Sequence, residues 1–173
     1  GVDRFTPPHS FGSSHGETRI TRQAIGEGAA YVPLVLRSHA IWDELEAATG
    51  TRLIERCGFL AIAAPEARAE MHGTPGFVAA TIATAQQFGI VHEVPGATET
   101  ARRFPQFALR GDETCYYEPG GGYVIPESCI AAQLHEARRL GAALQLDTSV
   151  HAIVPDGAGV RIETSAGNFH AAR

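Results

Sequence analysis

The run Ser13-Ser14-His15-Gly16-Glu17-Thr18-Arg19-Ile20-Thr21-Arg22 concentrates an imidazole, several hydroxyls and two guanidiniums, the groups that hold anions. Ser14 and Glu17 have the spacing of a capping box, in which the serine takes the N3 amide and the glutamate reaches back to the N-cap amide. That spacing predicts a helix over 14–24, stopped near Gly26 and Gly28. His15, Thr18, Arg19 and Arg22 then stand at i, i+3, i+4 and i+7 and share one face. Such a face makes a poor core stripe and a good anion site, and the electropositive helix start adds to that preference. A solvated basic turn is the competing account of the same residues.

The elements that must position this run follow from periodicity and punctuation. Residues 5–13 are loop, by Pro7-Pro8 and Gly12-Ser13. From Tyr31 to Thr49, Tyr31, Leu34/Val35, Ser38, Ile41/Trp42, Leu45 and Ala48 recur at helical spacing, and Gly50 ends the run. Trp42 on that stripe is expected to be core, and His39 a surface residue. A strand is predicted over 53–63, interrupted at Cys57-Gly58. Thr74-Pro75 then starts a helix with Phe77, Val78, Thr81, Ile82 and Ala85 inward, closing before Gly89. A short strand follows over 90–94, and Thr98 caps a short helix through Arg103. Thr114–Glu118 is a strand. The triple glycine after Pro119 lacks the Lys-Ser/Thr of a phosphate loop, so it is a tight connection. Pro126 opens a helix to Leu140 with Ile130, Leu134 and Ala137 inward and Gly141 as the stop. Strands are expected over 143–147, from 149, over 160–164 and from 168, with hairpin loops at 155–159 and 165–167.

Bulk properties narrow the function classes. A chain of 173 residues with 44% hydrophobic content can bury a core of one domain or two. The net charge of -5 and the absence of any Lys/Arg run argue against nucleic acid. No apolar stretch approaches the ~20 residues of a membrane helix, and none resembles a signal peptide. Cys57, Cys115 and Cys129 are odd in number and widely spaced, which points to a reducing, cytoplasmic setting rather than a disulfide framework. No His-x-x-x-His, His-Glu-x-x-His or Cys-x-x-Cys suggests metal. The chain opens as a strand cut mid-run and stops just after a hairpin pattern, so it is expected to be an internal part of something longer.

Asp3-Arg4-Phe5, Pro7-Pro8-His9, Gly12-Ser13-Ser14-His15-Gly16-Glu17-Thr18-Arg19-Ile20, Arg22, Gly26-Glu27-Gly28 and Tyr31-Val32-Pro33-Leu34 resemble a segment of the monomeric sarcosine oxidases and N-methyltryptophan oxidases. These belong to the flavin-dependent amine and D-amino-acid oxidase superfamily. The resemblance is specific over the first forty or so positions and looser beyond. It implies an α/β (α+β mixed) fold: part of a Rossmann-like FAD-binding domain with part of a β-sheet substrate domain. Residues 1–52 and 119–173 would belong to the FAD-binding domain, without its first βα unit, and 53–118 to the substrate domain. FAD is the implied cofactor. By the family pattern Asp3 takes the ribose hydroxyls, Arg4, Ser13 and Ser14 line the cofactor, and Val150 pairs its backbone with the adenine edge. His15, Thr18 and Arg19 lie against the isoalloxazine ring, and Arg22 grips the substrate carboxylate. His15, Arg19 and Arg22 are thus the implied catalytic set, and no metal is implied.

The implied reaction is oxidation of an N-methyl or other secondary amino acid, with molecular oxygen as acceptor and hydrogen peroxide as product. The full-length enzyme would be a monomer with no membrane or nucleic-acid partner. Ile25 stands where sarcosine oxidases carry a tyrosine, which leaves the amine open. Two alternatives stay open. One is a flavin-dependent dehydrogenase of another amino acid or of glycerol phosphate, reoxidised by a quinone. The other is a non-catalytic α/β module, since the chain has no Gly-x-Gly-x-x-Gly and by itself would be an inactive fragment that does not bind FAD.

Overall fold

No helix starts at Ser14 in the computed structural model, which describes residues 1–65 and 76–172. Gly16 sits at φ 97°, a left-handed conformation that a right-handed helix does not contain. Beyond it, Thr18, Ile20 and Thr21 are β-branched and suit a pleated strand better than a helix. Ile20 and Thr21 lie in β1 (Arg19–Thr21), and Thr18 directly precedes it. A turn and a strand therefore replace the helix expected over 14–24, and the shared face of His15, Thr18, Arg19 and Arg22 goes with it.

A single 3-10 turn at Ala29–Tyr31 leads into α1 (Val32–Thr49), which Gly50 ends at φ 65°. The buried face is rotated from the expected one. Tyr31, Leu34 and Ile41 are exposed, while Val32 and His39 are buried. A hydrogen bond with Thr21 meets Nε2 of the imidazole inside, while the buried Nδ1 has no hydrogen-bond partner among the described residues, so His39 is not the surface residue expected.

β2 (Ile54–Glu55) and β3 (Phe59–Ala63) are the two halves of the strand expected over 53–63. The cap expected at Thr74-Pro75 lies outside the described residues. α2 (Phe77–Phe88) buries Phe77, Val78, Thr81 and Ala85 as the periodicity predicts, and Gly89 ends it. Residues 90–94 make one bridge, Glu93 to Tyr117, instead of a strand; Pro95, without an amide proton, cuts the pairing short. α3 (Ala97–Arg103) is capped by Gly96 rather than Thr98, which lies inside the first turn. Arg102 and Arg103 close it in ion pairs with Glu99 and Glu93.

β4 (Thr114–Glu118) occupies the predicted residues and pairs antiparallel with β3, Phe59 opposite Glu118. β5 (Gly122–Val124) runs between β1 and β2, antiparallel to both. Its first residue serves close packing, since a Cβ on Gly122 would strike the Glu55 carbonyl. α4 (Pro126–Arg139) follows with Pro126 in its first turn. It buries Cys129, Ala132 and Glu136, so its inner face is rotated from the expected Ile130, Leu134 and Ala137. The reason is its seat: Cys129 and Ala132 cluster with Leu53, Trp42, Leu45 and Val124. Trp42, expected in the core, is half-buried and packs against the edge of this cluster.

The strand expected over 143–147 is reduced to one parallel bridge, Gln145 to Val2, after which Asp147 at φ 51° turns the chain. β6 (Val150–Asp156), β7 (Gly159–Thr164) and β8 (Gly167–Ala172) form an antiparallel meander. The larger apolar cluster joins Ala24, Val32, Ala61, Phe77, Val78 and Tyr116, between the β3–β4 pair and α2. The fold class is mixed, helices beside antiparallel sheets, with one parallel contact among the described residues, at Val2.

Candidate functional site

Neighbouring residues of a strand point to opposite sides. Thr21 Oγ1 lies 2.9 Å from Nε2 of His39 on α1, whereas Arg22 turns toward β3 and α2. The guanidinium carbon of Arg22 is 5.4 Å from the Phe59 ring centroid and 5.2 Å from that of Phe77. Its Nη2 donates to Glu27 Oε1 at 2.5 Å. The side chain is 17% exposed, and Nε has no hydrogen-bond partner among the described residues. Two aromatic faces and one carboxylate compensate a cation largely removed from water.

The chain after Arg22 is fastened by a carboxylate from far along the sequence. The amides of Gln23 and Ala24 donate to Glu118 Oε1 at 2.6 Å and Oε2 at 3.1 Å. The Tyr116 hydroxyl donates to the same Oε2 at 2.8 Å. Both Tyr116 and Glu118 are fully buried. Burial first, and then the bond to Glu118, push the Tyr116 phenol well above its ordinary range, so its proton stays in place as a donor. Gly26 lies flush on α2: a Cβ there would strike the Thr81 hydroxyl and stand 2.8 Å from the Phe77 carbonyl oxygen. That close approach brings Glu27 beside Arg22.

The other expected residues fall into two separate groups. Arg19 folds back on its own loop, donating to the carbonyls of His15 at 2.5 Å, Ser13 at 3.4 Å and Thr18 at 3.2 Å. Glu127, in the first turn of α4, accepts from the Gly16 amide at 2.7 Å; that bond is the first cause holding its carboxyl below the usual range. Ser13, Ser14 and Arg19 line one cleft of about 250 Å³ with Trp42, Cys129 and Gln133. His15 and Thr18 stay exposed on the loop.

At the far end, Asp3 accepts from the Phe5 amide at 2.8 Å and lies 3.4 Å from His9 Nε2. Its main chain donates to Gln145 and accepts from Thr148, both at 2.9 Å, two residues ahead of Val150. Arg4 sits 5.5 Å over the Phe5 ring. The structure thus gathers Ser13, Ser14 and Arg19, holds Arg22 apart from them, and sets Asp3 near the start of β6.

Sequence reasoning missed Glu118, Phe59, Phe77, His39 and Glu27 as neighbours of these groups. Only Glu27 carried a signal, an acid five positions after Arg22 across a glycine turn. Among the described residues no three His, Cys, Asp or Glu side chains gather as metal ligands, and no helix is long and apolar enough to cross a membrane.

A model of the family described as FAD dependent oxidoreductase matches residues 2–173. The chain belongs to this family. Its cofactor is FAD. Among curated FAD dependent oxidoreductases, the monomeric sarcosine oxidase of Streptomyces avermitilis is 37% identical over 171 residues, 99% of this chain and 42% of that protein. The N-methyl-L-tryptophan oxidase of Yersinia pestis is 33% identical over 172 residues, 99% of this chain and 44% of that protein. Among solved structures, NikD, an unusual amino acid oxidase essential for nikkomycin biosynthesis, superposes with a TM-score of 0.82 at 26% identity, covering 98% of this chain and 42% of that one. The chain spans less than half the length of these relatives. Its own residues fit part of an FAD site: a carboxylate at Asp3 beside a parallel bridge, and serine hydroxyls with a guanidinium at one cleft.

Proposed function

We propose that this chain supplies the carboxylate anchor, and part of the cofactor surface, of an oxidase acting on N-methyl or other secondary amino acids. Arg22 carries the proposal. A guanidinium between two ring faces, with its Nε still free to donate and one carboxylate already on Nη2, is built to hold an anion in one orientation. A substrate carboxylate would take the place of Glu27 on Arg22 and bond it bidentately, fixing where the amine end of the substrate lies. When bound, FAD would supply a two-electron acceptor for the hydride on the carbon next to the substrate nitrogen, with oxygen then reduced to hydrogen peroxide and the imine hydrolysed by water to aldehyde and amine. Asp3, Arg4 and the Val150 main chain would face the adenosine half of the cofactor. Ser13, Ser14, His15, Thr18 and Arg19 would face the rest of it.

The test is an oxygen-free titration of the FAD-loaded protein, followed in the visible spectrum. N-methyl amino acids should bleach the flavin, and air should restore it. With Arg22→Ala the amino acids should be needed at roughly tenfold higher concentration or more, while amines lacking the carboxylate respond as before. An equal response from both proteins would remove Arg22 from the site. A flavin that no amine bleaches would overturn the oxidase assignment.

A further inference from the structure

We propose that Glu118 is the positioning residue for Arg22, an assignment that rests on the carboxylate-anchor role of that arginine. Thr21 is the last residue of β1 paired to β5. The next two amides that donate, Gln23 and Ala24, both do so to one carboxylate, which is fully buried and 95 and 94 positions away in the chain. Consecutive amides on the two oxygens of one carboxylate leave the main chain little freedom, because neither bond survives rotation of the segment. Charge-assisted bonds of this kind are about twice as strong as neutral ones.

The residue facing Glu118 across the β3–β4 register is Phe59, whose ring lies against the guanidinium. One strand pair therefore sets both the main chain on which Arg22 is mounted and one of the rings against which it rests. Tyr116, one face-matched position earlier on β4, adds a third donor to the carboxylate, beside the two amides that fix it. A glutamine at 118 would present one acceptor and one donor to two N–H groups, so one buried amide would face a donor. The segment must then shift, and the guanidinium with it. Glu118 does not touch a ligand of Arg22; it acts through the arginine.

Heteronuclear NMR of the full chain reads this directly. The Arg22 Nε–H group lies between two rings, so ring currents set its resonance apart from those of exposed arginines. Glu118→Gln should return that resonance toward the exposed-arginine position and speed exchange of the Gln23 and Ala24 amides on the order of a hundredfold. Tyr116→Phe keeps both amide bonds and should leave the Arg22 resonance unmoved. Acetate serves as the carboxylate probe: its binding should weaken about tenfold in Glu118→Gln and in Arg22→Ala, and the double variant should be no weaker than Arg22→Ala.

An unmoved Arg22 resonance in Glu118→Gln overturns the proposal. Acetate binding indifferent to Arg22→Ala would overturn the carboxylate-anchor role instead, and the resonance would still decide whether Glu118 positions the guanidinium. Rapid exchange at Gln23 and Ala24 in the unsubstituted protein would also overturn it, a measurement that does not depend on Glu118→Gln folding.

Discussion

In the proposed anchor role, Arg22 would serve stability and recognition at once through its pair with Glu27. Their contact removes two charges from water, which is tolerable only while each is paired. On the proposed role, a ligand carboxylate would compete with Glu27 for the same guanidinium, and the pair would set a threshold for binding. Glu27→Gln keeps the volume and removes the competing charge. Denaturant unfolding should show a loss of about 2 kcal/mol, the worth of a charge-assisted hydrogen bond. Acetate should bind the same variant several-fold more tightly; unchanged affinity would show that Glu27 does not occupy the ligand position. The motif singled out Arg22 in the sequence as a candidate, while its surroundings were not legible there. Phe59, Phe77 and Glu118 reach it only through tertiary folding, and no local spacing announces a carboxylate that bonds to main-chain amides almost a hundred positions away.

At the scale of elements, local signals succeeded where a long periodic run or a paired strand left one choice. The limits of α1 and of β4 are of this kind, with Gly50 as the punctuation of the first. The capping box failed because two residues at the right spacing cannot outweigh a left-handed Gly16 and three β-branched neighbours. Facing residues were harder than limits: α1 and α4 are both rotated from their apolar stripe, each toward a partner that sequence periodicity does not contain. On α1 the buried His39 meets Thr21 of β1. Burial is the larger cause holding the His39 imidazole below its ordinary range; the Arg56 guanidinium adds to it, and Glu118 and Asp43 oppose it. A base held down in the folded state binds its proton more readily in the unfolded chain. Stability should therefore be intact above the ordinary histidine value of about 6.5 and fall as pH drops through it. His39→Gln can still bond Thr21 and should flatten that part of the profile in urea unfolding. An unchanged slope would place its origin in another group.

In the whole molecule, burial is distributed unevenly, and that predicts where the chain opens first. Both apolar clusters are built from residues up to Ala132, and no buried apolar side chain follows it among the described residues. The meander β6–β7–β8 bonds within itself, keeps Ile153 65% exposed, and is joined just ahead of its first strand by Thr148 to the Asp3 carbonyl. A three-stranded sheet with little apolar surface against a neighbour gains its cohesion from its own ladder, and a small ladder opens locally at low cost. Amide exchange should accordingly separate two populations. Amides of α2 and β4, beneath the Tyr116–Glu118 network, should exchange only on global unfolding. Those of β7, the central strand of the meander, should exchange at least about tenfold faster, with a weaker dependence on denaturant because less surface is exposed on opening. Equal protection across β4 and β7 would mean that the meander is locked to the rest of this chain and unfolds with it. The tie at Asp3 would then bind the adenosine-facing end of the proposed cofactor surface to the Arg22 site in one cooperative unit.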